Sequence, residues 1–147
     1  MGVVITDKPF DPEAAHAAFR TSVAGTGAIV AFTGLVRGGR DVTSLTLEHY
    51  AGFTESEIER IGYKADKKWP LYGWHVIHRI GEMKPEEPSV FVAAAAKHLR
   101  AAFEAVDFLM DYLKSEAPFW KKERRGNETN WIEPRAQDIA DKARWET

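Results

Sequence analysis

The 147-residue sequence contains no cysteine. That absence removes a disulfide framework, a thiolate zinc site, an iron–sulfur cluster and a cysteine nucleophile in one step. No apolar run approaches the ~20 residues that span a bilayer, and the N-terminus lacks a basic region followed by a signal-type apolar segment. No membrane association is expected, and a cytoplasmic location is the default. The start Met1-Gly2-Val3-Val4-Ile5-Thr6 matches the loose myristoylation pattern, but its β-branched residues read more simply as an opening strand. An excess of one charge is also missing. Twenty Lys and Arg stand against 22 Asp and Glu, a net charge of -2 with no long block of like sign, so nothing global points to nucleic acid. An anionic ligand would have to be held by a local cluster of basic residues.

Several catalytic signatures are absent as well. The glycine-containing loop 34–40 lacks the lysine and hydroxyl residue of a P-loop, and no Gly-x-Ser-x-Gly occurs. His75 and His78, three apart on an expected strand, point to opposite faces and read as structural residues rather than metal ligands. No metal and no cofactor are expected.

What is present fits one domain over 1–147, long enough to bury about two thirds of the surface of its unfolded chain. Asp11-Pro12-Glu13 supplies a cap and a first-turn proline for a helix to about Arg20. Ala28 to Thr33 reads as a strand buried on both faces, and Thr43 to Tyr50 as its hairpin partner, with Leu45, Leu47 and His49 on one face. Thr54 to Glu57 has the form of a capping box, and Ile58, Ile61, Ala65 and Trp69 recur at helical spacing until Pro70. Strands at 74–80 and 89–95 flank the turn Pro85-Glu86-Glu87-Pro88. A long helix from His98 to Ser115 carries an apolar stripe of Ala102, Phe103, Val106, Leu109, Met110 and Leu113, opposite Arg100, Glu104, Asp107, Asp111 and Lys114. Pro118 ends it, and 119–124 should be extended. Hairpins interleaved with helices give α+β with a largely antiparallel sheet.

The chemistry-bearing residues are basic. Lys114 closes the long helix and Lys121 follows the Ala117-Pro118-Phe119-Trp120 turn, so a reversal at Pro118 could bring both amines to one pocket. By position alone Lys114 reads rather as a cation complementing a helix C-terminus, and Lys121 to Arg125 as a solvated edge strand. Phe119 and Trp120 would give the Lys121 amine a partly dry setting that lowers its pKa toward neutrality. Arg37 on its glycine-flanked loop is a phosphate or carboxylate contact or a solvated arginine. His98 is a ligand contact at a helix start or a residue of the cap region.

The segments Phe32-Thr33-Gly34 with Val36-Arg37, Leu45 to Tyr50, Ile77 to Glu82, Ala102 to Ala105, and Met110 to Lys114 with Ala117 to Lys121 resemble, in order, the molybdopterin synthase large (catalytic) subunit family. The resemblance covers nearly the whole chain. It implies an α/β hammerhead-like fold with an added antiparallel β portion, and a homodimeric core of a heterotetramer. A small ubiquitin-like sulfur-carrier subunit at each end would insert a C-terminal Gly-Gly thiocarboxylate. Two sulfur deliveries would convert cyclic pyranopterin monophosphate, an anionic pterin phosphate, into molybdopterin in molybdenum cofactor biosynthesis. The resemblance further implies that Lys114 and Lys121 are catalytic and that Arg37, His98, Leu99, Arg100, Lys122 and Glu123 line the substrate pocket. Arg135 would be contributed by the neighbouring protomer. The family commonly has arginine directly after the histidine, where this chain has Leu99 with Arg100 one place later; on a helix that offset swings a side chain by ~100°. A dimer that binds the partner's tail without turnover, and an unrelated phosphate-binding enzyme, are the alternatives.

Overall fold

The computed structural model describes residues 2–39 and 41–146. Met1 of the expected first strand and Arg40 of the basic loop lie outside them.

In chain order the elements are β1 (Gly2–Thr6), α1 (Pro12–Ser22), β2 (Ala28–Leu35), β3 (Val42–His49), α2 (Phe53–Lys68), β4 (Leu71–Arg79), β5 (Gly81–Met83), β6 (Pro88–Ala96), α3 (Leu99–Ser115), β7 (Phe119–Arg125), β8 (Glu128–Ile132) and α4 (Ala136–Ala143). They build two four-stranded sheets, ordered β1-β4-β6-β2 and β5-β3-β7-β8. Among the described residues only the β1–β4 pair is parallel. The architecture is α+β and largely antiparallel, now divided between two sheets. Among the described residues no helix is long and apolar enough to cross a membrane.

The strand buried on both faces is β6, not β2. Residues Val90 to Ala96 are all buried, because β6 lies inside the first sheet with α1 against one face and α2 and α3 against the other. Phe91, Ala93 and Ala95 meet Phe19 of α1 and Val23 just after it, while Val90, Val92 and Ala94 meet Ile58, Ile61 and Leu109. Four consecutive alanines keep this strand thin enough for helices to approach both faces. Gly62 serves the same closeness on α2, since a Cβ there would fall 2.1 Å from the Trp74 ring of β4.

β2 and β3 do not form the expected hairpin. β2 pairs with β6 in the first sheet, whereas β3 pairs with β5 and β7 in the second. An apolar run cannot by itself distinguish a central strand from an edge one. The cap of α2 is Gly52, whose N–H donates to Glu55 at 2.9 Å. Thr54, two residues on, is fully buried; its hydroxyl accepts from the Tyr50 N–H and donates to the Pro118 carbonyl, joining the start of α2 to the approach of β7. Two members of the α3 pattern are also displaced. Phe103 is exposed, and Asp111 is buried because Arg144 and Trp145 pack over it.

Candidate functional site

A cavity of about 580 Å³ lies where the two sheets and the end of α3 meet. Its wall includes Phe32 to Arg37 at the end of β2, Leu45 and Leu47 of β3, His78 of β4, and Leu113 and Lys114 of α3. Phe119, Lys121 and Glu123 of β7 and the segment from Ile132 to Arg135, with Asp138, complete it. α3 therefore delivers Lys114, the reversal at Pro118 delivers Lys121, and the loop after β2 delivers Arg37. Among the described residues none of these three cations has a carboxylate within ion-pair distance, while Arg135 binds Asp138 at 3.0 Å. Among the described residues, no cluster of three or more His, Asp or Glu could hold a metal ion.

Strand alternation decides which residues of the basic run face the cavity. Lys121 and Glu123 lie opposite Leu47 and Leu45 of β3, and all four line it. Lys122 projects from the other face, where its amine lies 4.7 Å from the Trp131 ring centroid and 3.4 Å from Glu48. Trp120 shares that outer face and meets Tyr50 edge-on at 4.2 Å, so of the two aromatics before Lys121 it is Phe119 that joins Leu47 and Ile132 in the apolar wall.

The amine of Lys121 is held below the ordinary lysine range, chiefly by desolvation and then by the charges of Lys114 and Arg135, against an opposing effect of Asp138. The residue is nonetheless exposed to solvent, which leaves a path for proton exchange with water. Asp138 is held below the usual carboxylate range by its hydrogen bonds from Arg135, which its burial partly opposes. It also accepts from the Arg135 N–H at 3.3 Å, closing the first turn of α4.

His98, Leu99 and Arg100 do not reach this cavity. They stand at the start of α3 and Lys114 in its last turn; sixteen helical steps carry the chain from His98 to Lys114, roughly 24 Å. Arg135 departs from the expectation in the other direction, because it lines the cavity of its own chain. Among the cavity residues that escaped the sequence reading are His78 and Asp138. His78, read as structural, contributes to the wall, and Asp138 was not singled out, although a carboxylate three residues after Arg135 at a helix start is a recognisable capping signal.

Comparison with known proteins bears on this arrangement. The family model described as "MoaE protein" matches residues 5–116, which contain Arg37, His78 and Lys114. The molybdopterin synthase catalytic subunit of Pseudomonas aeruginosa is 44% identical over 149 aligned positions, covering 99% of each chain. The solved structure of molybdopterin cofactor biosynthesis protein E from Burkholderia multivorans superposes with a TM-score of 0.85 at 39% identity, covering 99% of this chain and 97% of that one. A complex of subunits 1 and 2 of molybdopterin-converting factor from Helicobacter pylori shares the fold, with a TM-score of 0.79 at 20% identity over 90% of this chain and 91% of that one. A family match over most of the chain, joined to a relative this similar along its whole length, means that the chain belongs to the MoaE family.

Proposed function

We propose that this chain is the catalytic subunit of a molybdopterin synthase, a sulfurtransferase that converts cyclic pyranopterin monophosphate into molybdopterin. The sulfur comes from the C-terminal thiocarboxylate of a small ubiquitin-like partner. The observation that carries this reading is the convergence of Arg37, Lys114 and Lys121 on one cavity in a chain without cysteine. Such a cavity can bind a phosphate and a thiocarboxylate and stabilise charge as it develops, but it cannot supply sulfur. A lysine amine with a depressed pKa can also give and take protons nearer neutrality than a free lysine.

Arg37 and Arg135 hold the substrate's phosphate and polar groups, Glu123 borders them, and Lys114 and Lys121 act at the reacting carbons. The working unit is a dimer of this chain with one small subunit at each end. The distance from His98 to Lys114 supports that assembly, because His98, Leu99 and Arg100 could serve a substrate only in the cavity of a second copy. The assembly works in the cytoplasm.

The test is to mix the chain with thiocarboxylated small subunit and cyclic pyranopterin monophosphate and to measure molybdopterin. Lys114→Ala and Lys121→Ala should each reduce formation by two orders of magnitude or more while the partner still binds. Near-normal turnover in both variants would overturn the catalytic assignment. Partner binding without turnover in the unaltered chain would favour the non-catalytic module.

A further inference from the structure

Arg79, the last residue of β4, is only 4% exposed, and a buried guanidinium must be matched by acceptors. Its Nη1 donates to Glu87 Oε1 and its Nη2 to the Glu82 carbonyl, each at 3.3 Å. Its Nε is the single buried side-chain polar atom without a partner among the described residues. A buried charge with one N–H unmatched is a poor way to gain stability, since an apolar side chain would fill the space without that loss. The reason for an arginine here is better sought in what the pair holds in place.

Glu87 is the end of a tight turn. Its second carboxylate oxygen accepts from the Lys84 N–H at 2.6 Å, and Glu86 within the turn takes a positive φ of 76°. The same turn grips the chain just before Arg37. The Val36 N–H donates to the Glu87 carbonyl at 2.9 Å, and the Glu86 N–H donates to the Val36 carbonyl at 2.7 Å. Val36 is itself buried against Leu47 and Met83. On the other side of Arg37, Gly38 lies so close to the turn that a Cβ would fall 2.9 Å from Pro85 Cβ. Arg37 is thus suspended between two neighbours that both rest on residues 85–87, and it borders the cavity from there.

We propose that Arg79 and Glu87 form a positioning pair for Arg37: by fixing the shape of the 84–87 turn they aim the Arg37 guanidinium at the anionic group of the substrate. The inference rests on the reading of Arg37 as an anion contact. Neither Arg79 nor Glu87 touches the cavity, so their effect must pass through the loop.

The test is a double-mutant cycle in the reconstituted complex with thiocarboxylated partner and cyclic pyranopterin monophosphate. Glu87→Gln keeps size and removes charge at a partly exposed position, so folding should survive; a thermal melt checks this. Glu87→Gln should raise KM five- to tenfold and leave kcat within twofold, the pattern of lost uniform binding. Arg37→Ala should raise KM at least as much, and adding Glu87→Gln to it should change nothing further. Fully additive effects, or an unchanged KM in Glu87→Gln, would overturn the positioning role. If Arg37→Ala alone leaves KM unchanged, the anion-contact reading itself has failed, and that outcome is distinct from additivity. Hydrogen exchange reads the same device without turnover. The Val36 and Glu86 amides should exchange faster in Glu87→Gln than in the unaltered chain while β6 amides keep their protection, and unchanged exchange at both would count against the proposal.

Discussion

The imidazole of His78 stacks on Phe119 with ring centroids 4.1 Å apart and planes inclined by 24°. Its Nδ1 lies 2.9 Å from the Arg79 carbonyl; a carbonyl can only accept, so Nδ1 carries the proton and Nε2 the lone pair. Desolvation pushes its pKa down to about 4, helped by the charge of Lys121 and opposed by the bond to the Arg79 carbonyl. At neutral pH the ring is an uncharged part of the cavity wall.

This burial has a stability signature. The native ring titrates below its unfolded value, so between about pH 6.5 and 4 the unfolded chain binds the extra proton. The contribution is therefore complete above that window and is lost as pH falls through it. Between pH 7 and 4.5 the unaltered chain should lose roughly 2 kcal/mol more unfolding free energy than His78→Gln, measured by urea denaturation at each pH. Parallel pH profiles for the two proteins would contradict the desolvated neutral ring.

Neighbouring lysines should behave very differently. Lys121 faces the cavity and Lys122 the outer face, with its amine near Trp131 and Glu48. Lys121→Ala should abolish measurable molybdopterin formation. Lys122→Ala should leave kcat within about threefold and lower stability by about 0.5–1 kcal/mol, the scale of an exposed cation–π contact. Equal loss of turnover in both variants would mean that the strand presents the outer face to substrate.

The reach of the sequence was set by the range of the interactions. Local signals located α1, α2 and α3 within a few residues, because the Asp11 cap, Pro70 and Pro118 act on adjacent backbone. Strand pairing escaped because β2 and β3 are adjacent in sequence yet belong to different sheets, and nothing in either run encodes its partner. Within the candidate site, the joining of Lys114 to Lys121 follows from one proline reversal and was legible. The entry of His78 was not, since it depends on β4 and β7 from different sheets meeting across the cavity. Phe103 shows a limit of another kind. It fits the apolar stripe of α3 but is exposed, and periodicity alone cannot tell a buried face from one left uncovered in a single chain.

Asp138 tunes the site electrostatically. It raises the pKa of Lys121 against the lowering effects of desolvation, Lys114 and Arg135. Asp138→Asn removes that support and releases the Arg135 guanidinium, so both consequences push the Lys121 amine further down. If protonated Lys121 is the active form, the alkaline limb of the kcat profile should move to lower pH in Asp138→Asn. A limb that stays in place would assign it to another group.

Asp111 links the end of the chain to the cavity. Its carboxylate accepts from Arg144 Nη2 at 2.7 Å, from Arg144 Nε at 3.2 Å and from the Trp145 indole at 2.6 Å. Trp145 in turn packs edge-on against Trp69 and Phe108, so Asp111, together with Asp107 at 2.7 Å from the same guanidinium, ties α3 to the segment that follows α4. α4 begins directly after Arg135 and carries Asp138, an acidic residue of the cavity wall. Asp111→Ala should therefore do two things at once. It should lower the unfolding free energy by about 2–3 kcal/mol, the scale for losing hydrogen bonds to a charged group. It should also raise KM for the pterin substrate more than it lowers kcat, because Arg135 loses a fixed platform while Lys114 and Lys121 stay on α3 and β7. Denaturant unfolding and steady-state kinetics on the same preparation separate the two effects. A stability loss with unchanged KM would show that the anchor serves folding alone.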